Sequence, residues 1–99
     1  MIAKIFIRRK FSRNITTKVV PLLMQMRAGA MKQTGYISGE TLTSTIDPHS
    51  IAVIATWHSM EDWLKWKEDP ERQKIEAMLE VFQLGPTVYE EYYLGTTFK

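Results

Sequence analysis

Tyr36-Ile-Ser-Gly-Glu-Thr-Leu-Thr-Ser-Thr-Ile46, then Asp47-Pro48-His49-Ser50, then Ile51-Ala-Val-Ile-Ala-Thr-Trp-His58: this run decides the fold. Its first arm is rich in threonine and β-branched residues and alternates along its length, which predicts a strand over 36–46. Gly39 within it predicts a bulge or a close backbone approach. Asp47 opens a turn and Pro48 fixes its φ. The chain then returns as a second strand over 51–58, so the run is a hairpin.

On the N-terminal side, Ile2 to Arg9 carries apolar residues in both phases, as a central strand covered on both faces would. A loop over Phe11 to Ile15 leads into a helix with Thr16 or Thr17 as N-cap. Val19, Leu22, Leu23, Met26 and Ala30 form its apolar stripe, and Pro21 sits in its first turns. Gly35, after Lys32-Gln-Thr, is free to take the left-handed conformation that ends a helix. On the C-terminal side, Ser59 caps a short helix with Glu61 and Asp62 in its first turn. Asp69-Pro70 restarts a second piece bearing Ile75, Met78, Leu79 and Phe82, and Gly85-Pro86 stops it. A last strand runs from Thr87 to Leu94, with Val88, Glu90, Tyr92 and Leu94 on one face and Thr87, Tyr89, Glu91 and Tyr93 on the other.

The order is βαββαβ. With right-handed crossovers this is an α+β, ferredoxin-like plait: a four-stranded antiparallel sheet with both helices on one face. The other face has no cover within one chain. A second copy packing sheet to sheet would cover it, so the expected state is a homodimer with Tyr89, Tyr92 and Tyr93 at the interface.

The 99 residues, 44% hydrophobic and 24% charged, fit a single domain spanning 1–99. The absence of cysteine excludes a disulfide framework, a thiolate metal site and a cysteine nucleophile. Apolar runs are too short to span a membrane, and Lys4, Arg8, Arg9 and Lys10 interrupt the stretch a signal peptide needs, so a cytoplasmic protein is expected. Asn14-Ile15-Thr16 is then a chance match to a glycosylation acceptor. Residues 1–32 carry eight basic side chains and no acidic one, while all eleven carboxylates follow. Because the basic residues lie within patterned elements, compensation between packed elements is the simpler reading than a nucleic-acid arm. RNA binding also needs aromatics on the central strands, where Ile51-Ala-Val-Ile-Ala offers aliphatics.

Gly35-Tyr36-Ile37-Ser38-Gly39-Glu40-Thr41-Leu42, Trp57 closing a strand, Ser59-x-Glu61-Asp62-Trp63-x-x-Trp66 and the Asp69-Pro70-Glu71-Arg72 restart together resemble the antibiotic biosynthesis monooxygenase family. The resemblance covers nearly the whole chain. It implies a dimeric α+β barrel. It also implies, less specifically, a cofactor-independent monooxygenase acting on a small aromatic or quinol-type molecule, with no cofactor and no metal. A non-catalytic dimer that binds or senses a small molecule on the same scaffold is the alternative. Haem-degrading members of the family resemble the chain around Trp66, but they carry a histidine about ten residues later. Here that position falls on Glu76 or a neighbour such as Lys74. They also carry an asparagine in the first strand, which Ile2 to Arg9 lacks, so haem degradation is not expected.

Three residues stand out as candidates. Trp63 and Trp66, three apart on one helix, offer an aromatic wall for a planar ligand as well as ordinary core packing. Trp66 lies just before the helix break, where a side chain can border a cavity. His58 is the candidate base, able to take a proton from a phenol or quinol. His49 belongs to the turn and faces solvent. Arg8 and Arg9 point to opposite faces of the first strand; one could meet an anionic ligand, and cross-strand pairing with Glu90 or Glu91 is the simpler expectation.

Overall fold

A computed structural model describes residues 1–12 and 15–96. Arg13 and Asn14 of the expected loop, with the glycosylation match, lie outside the described residues. The chain runs β1 (Ala3–Lys10), a π-helical turn (Ile15–Val19), α1 (Val20–Met31), β2 (Tyr36–Thr43), β3 (Ser50–Trp57), α2 (Met60–Lys67), α3 (Pro70–Glu80) and β4 (Val88–Tyr93). The sheet is antiparallel in the order β2-β3-β1-β4. This is the expected ferredoxin-like plait, with its second helix in two pieces.

Local chemistry sets the boundaries. β2 stops at Thr43 rather than Ile46 because the Ser44 hydroxyl accepts the N–H groups of Ile46 and Asp47 and bends the chain away. The turn forms as expected: Asp47 accepts the His49 N–H through its carboxylate at 3.0 Å and the Ser50 N–H through its carbonyl at 3.0 Å. Neither Thr16 nor Thr17 caps α1. Both lie inside the π-helical turn, and Val19 occupies the cap position without any side-chain hydrogen bond. The wider turn continues directly into the helix, so no exposed first turn is left for a threonine to cap.

β1 is central, yet only one of its faces is covered within the chain. That face carries Ala3, Ile5, Ile7 and Arg9, and packs with Ile51, Ala55 and Trp57 of β3 beneath the helices. From the helices, Val19, Met26 and Ala30, then Trp63 and Trp66, then Ile75 and Leu79 complete the core. Leu22, Leu23 and Phe82 are partly buried against it, while Met78 faces solvent. On the opposite face, register aligns Lys4, Phe6 and Arg8 with Thr56, Ile54 and Ala52 on one side and with Tyr92, Glu90 and Val88 on the other. Leu42 of β2 extends that row beside Ala52. Among the described residues, no helix is long and apolar enough to cross a membrane.

Candidate functional site

Two caps place the aromatic and cationic residues under the sheet's helical cover. The Ser59 hydroxyl accepts the Asp62 N–H at 3.1 Å, which starts α2 at Met60 and sends Trp63 and Trp66 inward, one turn apart. α2 ends at Lys67. The Asp69 carboxylate accepts the Glu71 N–H at 2.8 Å, and Pro70 opens α3. The restart re-aims the helix so that Arg72, Ile75 and Leu79 become its buried residues.

The aromatics form a continuous set. Tyr36 meets Trp57 edge to face at 5.3 Å, Trp57 meets Trp63 at 6.1 Å, and Trp63 meets Tyr89 at 6.0 Å. The Trp63 indole N–H donates to Glu91 at 2.6 Å, and Lys67 sits 3.3 Å from the same carboxylate. That indole hydrogen bond, set against partial burial, joins the Lys67 charge in holding the Glu91 carboxyl below its usual range. Trp66 lies against α1 so closely that a Cβ built on Gly29 would stand 2.7 Å from its ring. Tyr89 and Tyr93, opposite Ile7 and Ala3, lie on this helix-covered side of the sheet, so of the three tyrosines expected at a sheet-to-sheet interface only Tyr92 is on the open face.

Arg9 and Arg72 lie within the same layer, 4% and 2% exposed. Arg9 does not pair across the sheet with Glu91. It donates to Glu76 of α3 at 2.6 Å, and the Thr87 hydroxyl donates to the same carboxylate. Burial pushes the Glu76 carboxyl up, but the Arg9 charge, the two hydrogen bonds and the Arg72 charge together hold it below the usual carboxylate range. Arg72 stands 4.0 Å from Glu76 without a hydrogen bond, its guanidinium over the rings of Trp63 and Tyr89 at 5.2 and 5.4 Å. Two buried guanidinium groups thus share one carboxylate. An uncompensated buried charge costs several kcal/mol, so the arrangement is expensive to keep.

A cavity of about 40 Å³ opens among these side chains, between the sheet and α1, α2 and α3. Trp57, Trp63 and Trp66 line it with Tyr36, Arg9 and Arg72. At ~10–15 Å³ per water it has room for water or a small polar group, not for an aromatic ring. It is flanked by larger grooves. One, of about 500 Å³ between α1 and the β2–β3 hairpin, shares Leu23, Arg27 and Thr41 with the cavity. Another, of about 720 Å³ between α1 and α3, shares Trp66 with it. Arg27 spans the first groove, donating to the Gly39 carbonyl at 2.9 Å and the Thr41 hydroxyl at 2.8 Å. The close approach expected at Gly39 is therefore this one, with Arg27 and the Tyr36 hydroxyl over its backbone. The bulge lies earlier, between Tyr36 and Ser38.

The structure thus brings Trp63 and Trp66 to one cavity. His58 is not among its lining residues; it is exposed after β3, with its backbone N–H donating to the Gly35 carbonyl at 2.7 Å. Gly35 has φ of 88° and Asp62 packs where a Cβ would stand, so this junction accepts only glycine. Sequence reasoning missed Tyr36, Trp57 and Arg72 as cavity residues, and the pairing of Arg9 with Glu76. Strict alternation puts Tyr36 on the open face with Ser38 and Glu40, and the bulge reverses it. Glu76 and Arg72 were readable from their (i, i+4) spacing on the face beside Ile75 and Leu79. Among the described residues, no three histidine, aspartate or glutamate side chains are grouped to hold a metal.

No family model matches the sequence, and no curated protein matches it. Solved structures do. The chain superposes on SnoaB, a cofactor-independent oxygenase from Streptomyces nogalater, with a TM-score of 0.85 at 12% identity, over 97% of this chain and 95% of that one. A conserved protein from Methanosarcina mazei Go1 gives 0.85 at 11% identity, over 93% and 91%. A protein named antibiotic biosynthesis monooxygenase gives 0.84 at 10% identity, over 95% and 99%. The chain therefore has the α+β fold of the antibiotic biosynthesis monooxygenases.

Proposed function

We propose that the chain, acting as a single domain in the cytoplasm, is a cofactor-independent monooxygenase of a small aromatic or quinol-type molecule. The observation that supports this most is the tryptophan-walled cavity under the helices, flanked by an apolar groove of about 500 Å³, a volume within the ~300–1,000 Å³ of small-molecule sites. In this chemistry the substrate supplies the electrons. A deprotonated, electron-rich ring carbon meets dioxygen, one oxygen atom enters that carbon, and the other leaves as water. The protein's part is to exclude bulk water, hold the ring and favour the anion. Trp66 and Trp63 are the wall. His58 is the candidate side-chain base, and its exposure makes it a separate question.

The test is oxygen consumption by the full chain with a hydroxyanthrone or naphthoquinol, compared with the uncatalysed rate. Turnover that falls on Trp66→Ala, in a protein that stays folded, supports the reading. If His58→Ala lowers turnover without changing binding, the proton goes to that imidazole; if it is silent, the proton goes to solvent. Binding without turnover in the wild type selects the non-catalytic binder or sensor on the same scaffold.

We also propose a homodimer through the open sheet face. Phe6, Ile54, Leu42, Val88 and Tyr92 supply its apolar area, and Arg8 and Glu90 enter it already paired at 2.7 Å. Such an interface should bury well over ~1,000 Å².

A further inference from the structure

Four buried side-chain polar atoms have no hydrogen-bond partner among the described residues: Arg9 Nε, Arg72 Nε, Arg72 Nη2 and Trp57 Nε1. All four are N–H donors, and none is an acceptor. All belong to residues lining the one cavity of about 40 Å³. Buried polar groups in folded proteins are almost always satisfied, so four unmet donors around one space are a specific signal. The nearby charges do not cancel. Glu76 faces both arginines, Glu91 is engaged by Trp63 and Lys67, and the Arg9–Arg72–Glu76 group carries one net positive charge.

We propose that Arg9, Arg72 and Trp57 form an anion-binding site, and that its ligand is an aromatic molecule carrying a carboxylate, phenolate or enolate oxygen. The proposal rests on the reading of this cavity as a ligand site and adds the charge of the ligand. An anionic oxygen accepts several hydrogen bonds at once and supplies the missing negative charge in the same step. The small volume fits the oxygen-bearing end of the ligand. The ring extends past Leu23, Arg27 and Thr41 into the α1–β2 groove, which shares those residues with the cavity. A phenol bound there would release its proton to water more readily, because the donors and the positive charge stabilise its ionised form more than its neutral form.

The experiment uses the full-length chain and the fluorescence of Trp57, Trp63 and Trp66, which surround the site. 2-Naphthoate is titrated against 2-naphthalenemethanol, a neutral molecule of similar shape. Naphthoate should bind at least tenfold more tightly, and acetate should compete with naphthoate but not with the alcohol. Arg72→Met should abolish the preference, while Arg72→Lys, which keeps the charge but loses the fork, should retain part of it. Thermal melts check that each variant is folded, and the wild-type preference stands as evidence even if Arg72→Met does not fold. Equal binding of the two probes overturns the anion site and leaves the aromatic site standing. If neither probe binds, the ligand-site reading falls and the anion site with it.

Discussion

Arg8 and Arg9 are neighbours on one strand and meet opposite fates. Arg8 projects from the open face, pairs with Glu90 across the sheet at 2.7 Å, and keeps about half of its side chain in solvent. Arg9 projects under the helices, pairs with Glu76 at 2.6 Å, and has almost no exposure. On the open face each charge is settled with the nearest strand, and water covers the remainder. Beneath the helices the groups are shielded from bulk solvent, one carboxylate serves two guanidinium groups, and donors are left over. The same residue type is a surface detail on one side of the sheet and a strongly constrained group on the other. Dielectric environment makes the difference, more than the pairing distance does.

The sharpest way to break the contrast is to remove the shared carboxylate. Glu76→Ala leaves Arg9 and Arg72 buried without a counter-charge and should cost ~3–5 kcal/mol of unfolding free energy, measured by urea denaturation. A loss below ~1 kcal/mol would mean that water reaches the pair. The next largest effect is acid sensitivity. The Glu76 carboxyl is held below its usual range in the folded state, so it adds stability above the unfolded value of about 4.3, and that contribution disappears as pH falls through the lower folded value. Melts from pH 6 down to pH 2 should show this loss below about pH 4. Glu76→Gln should be less stable at pH 6 and show a shallower decline.

On the open face, Phe6→Asp places a charge at the centre of the proposed interface. It should shift the mass measured by light scattering from dimer to monomer while the circular dichroism spectrum is kept. A wild-type monomer at micromolar concentration would remove the dimer. The smallest effect belongs to the exposed pair. At concentrations where the chain is monomeric, Arg8→Ala should change stability by no more than ~1 kcal/mol, and less in high salt. A larger change there would show that the pair is shielded from solvent within one chain.

The plait was legible because its signals are local and agree with one another. The Asp47-Pro48 turn, the Ser59 cap and the Asp69-Pro70 restart each depend on a few adjacent residues and formed where they were read, and the strand read over 36–46 formed over 36–43. Trp63 and Trp66 were legible for the same reason, as a spacing on one short helix, whereas Trp57 on β3 reads as core. What escaped was long-range or a shift of phase. A single bulge turned Tyr36 from the open face to the interior. Arg9 meets Glu76 across 67 residues, and no spacing along the chain announces that distance. The wide turn before α1 left no capping signature, since its hydrogen bonds run into the helix backbone.

Gly29 sits mid-helix, where glycine costs ~0.5–1 kcal/mol relative to alanine. It faces the Trp66 ring, and a methyl group there would stand 2.7 Å from it, so the indole would have to move. That indole is the partition between the inner cavity and the α1–α3 groove. A hydrogen atom on α1 therefore sets how space is divided between two compartments. Gly29→Ala is a way to retune which molecules fit, acting from the helix backbone and leaving every group inside the cavity chemically intact.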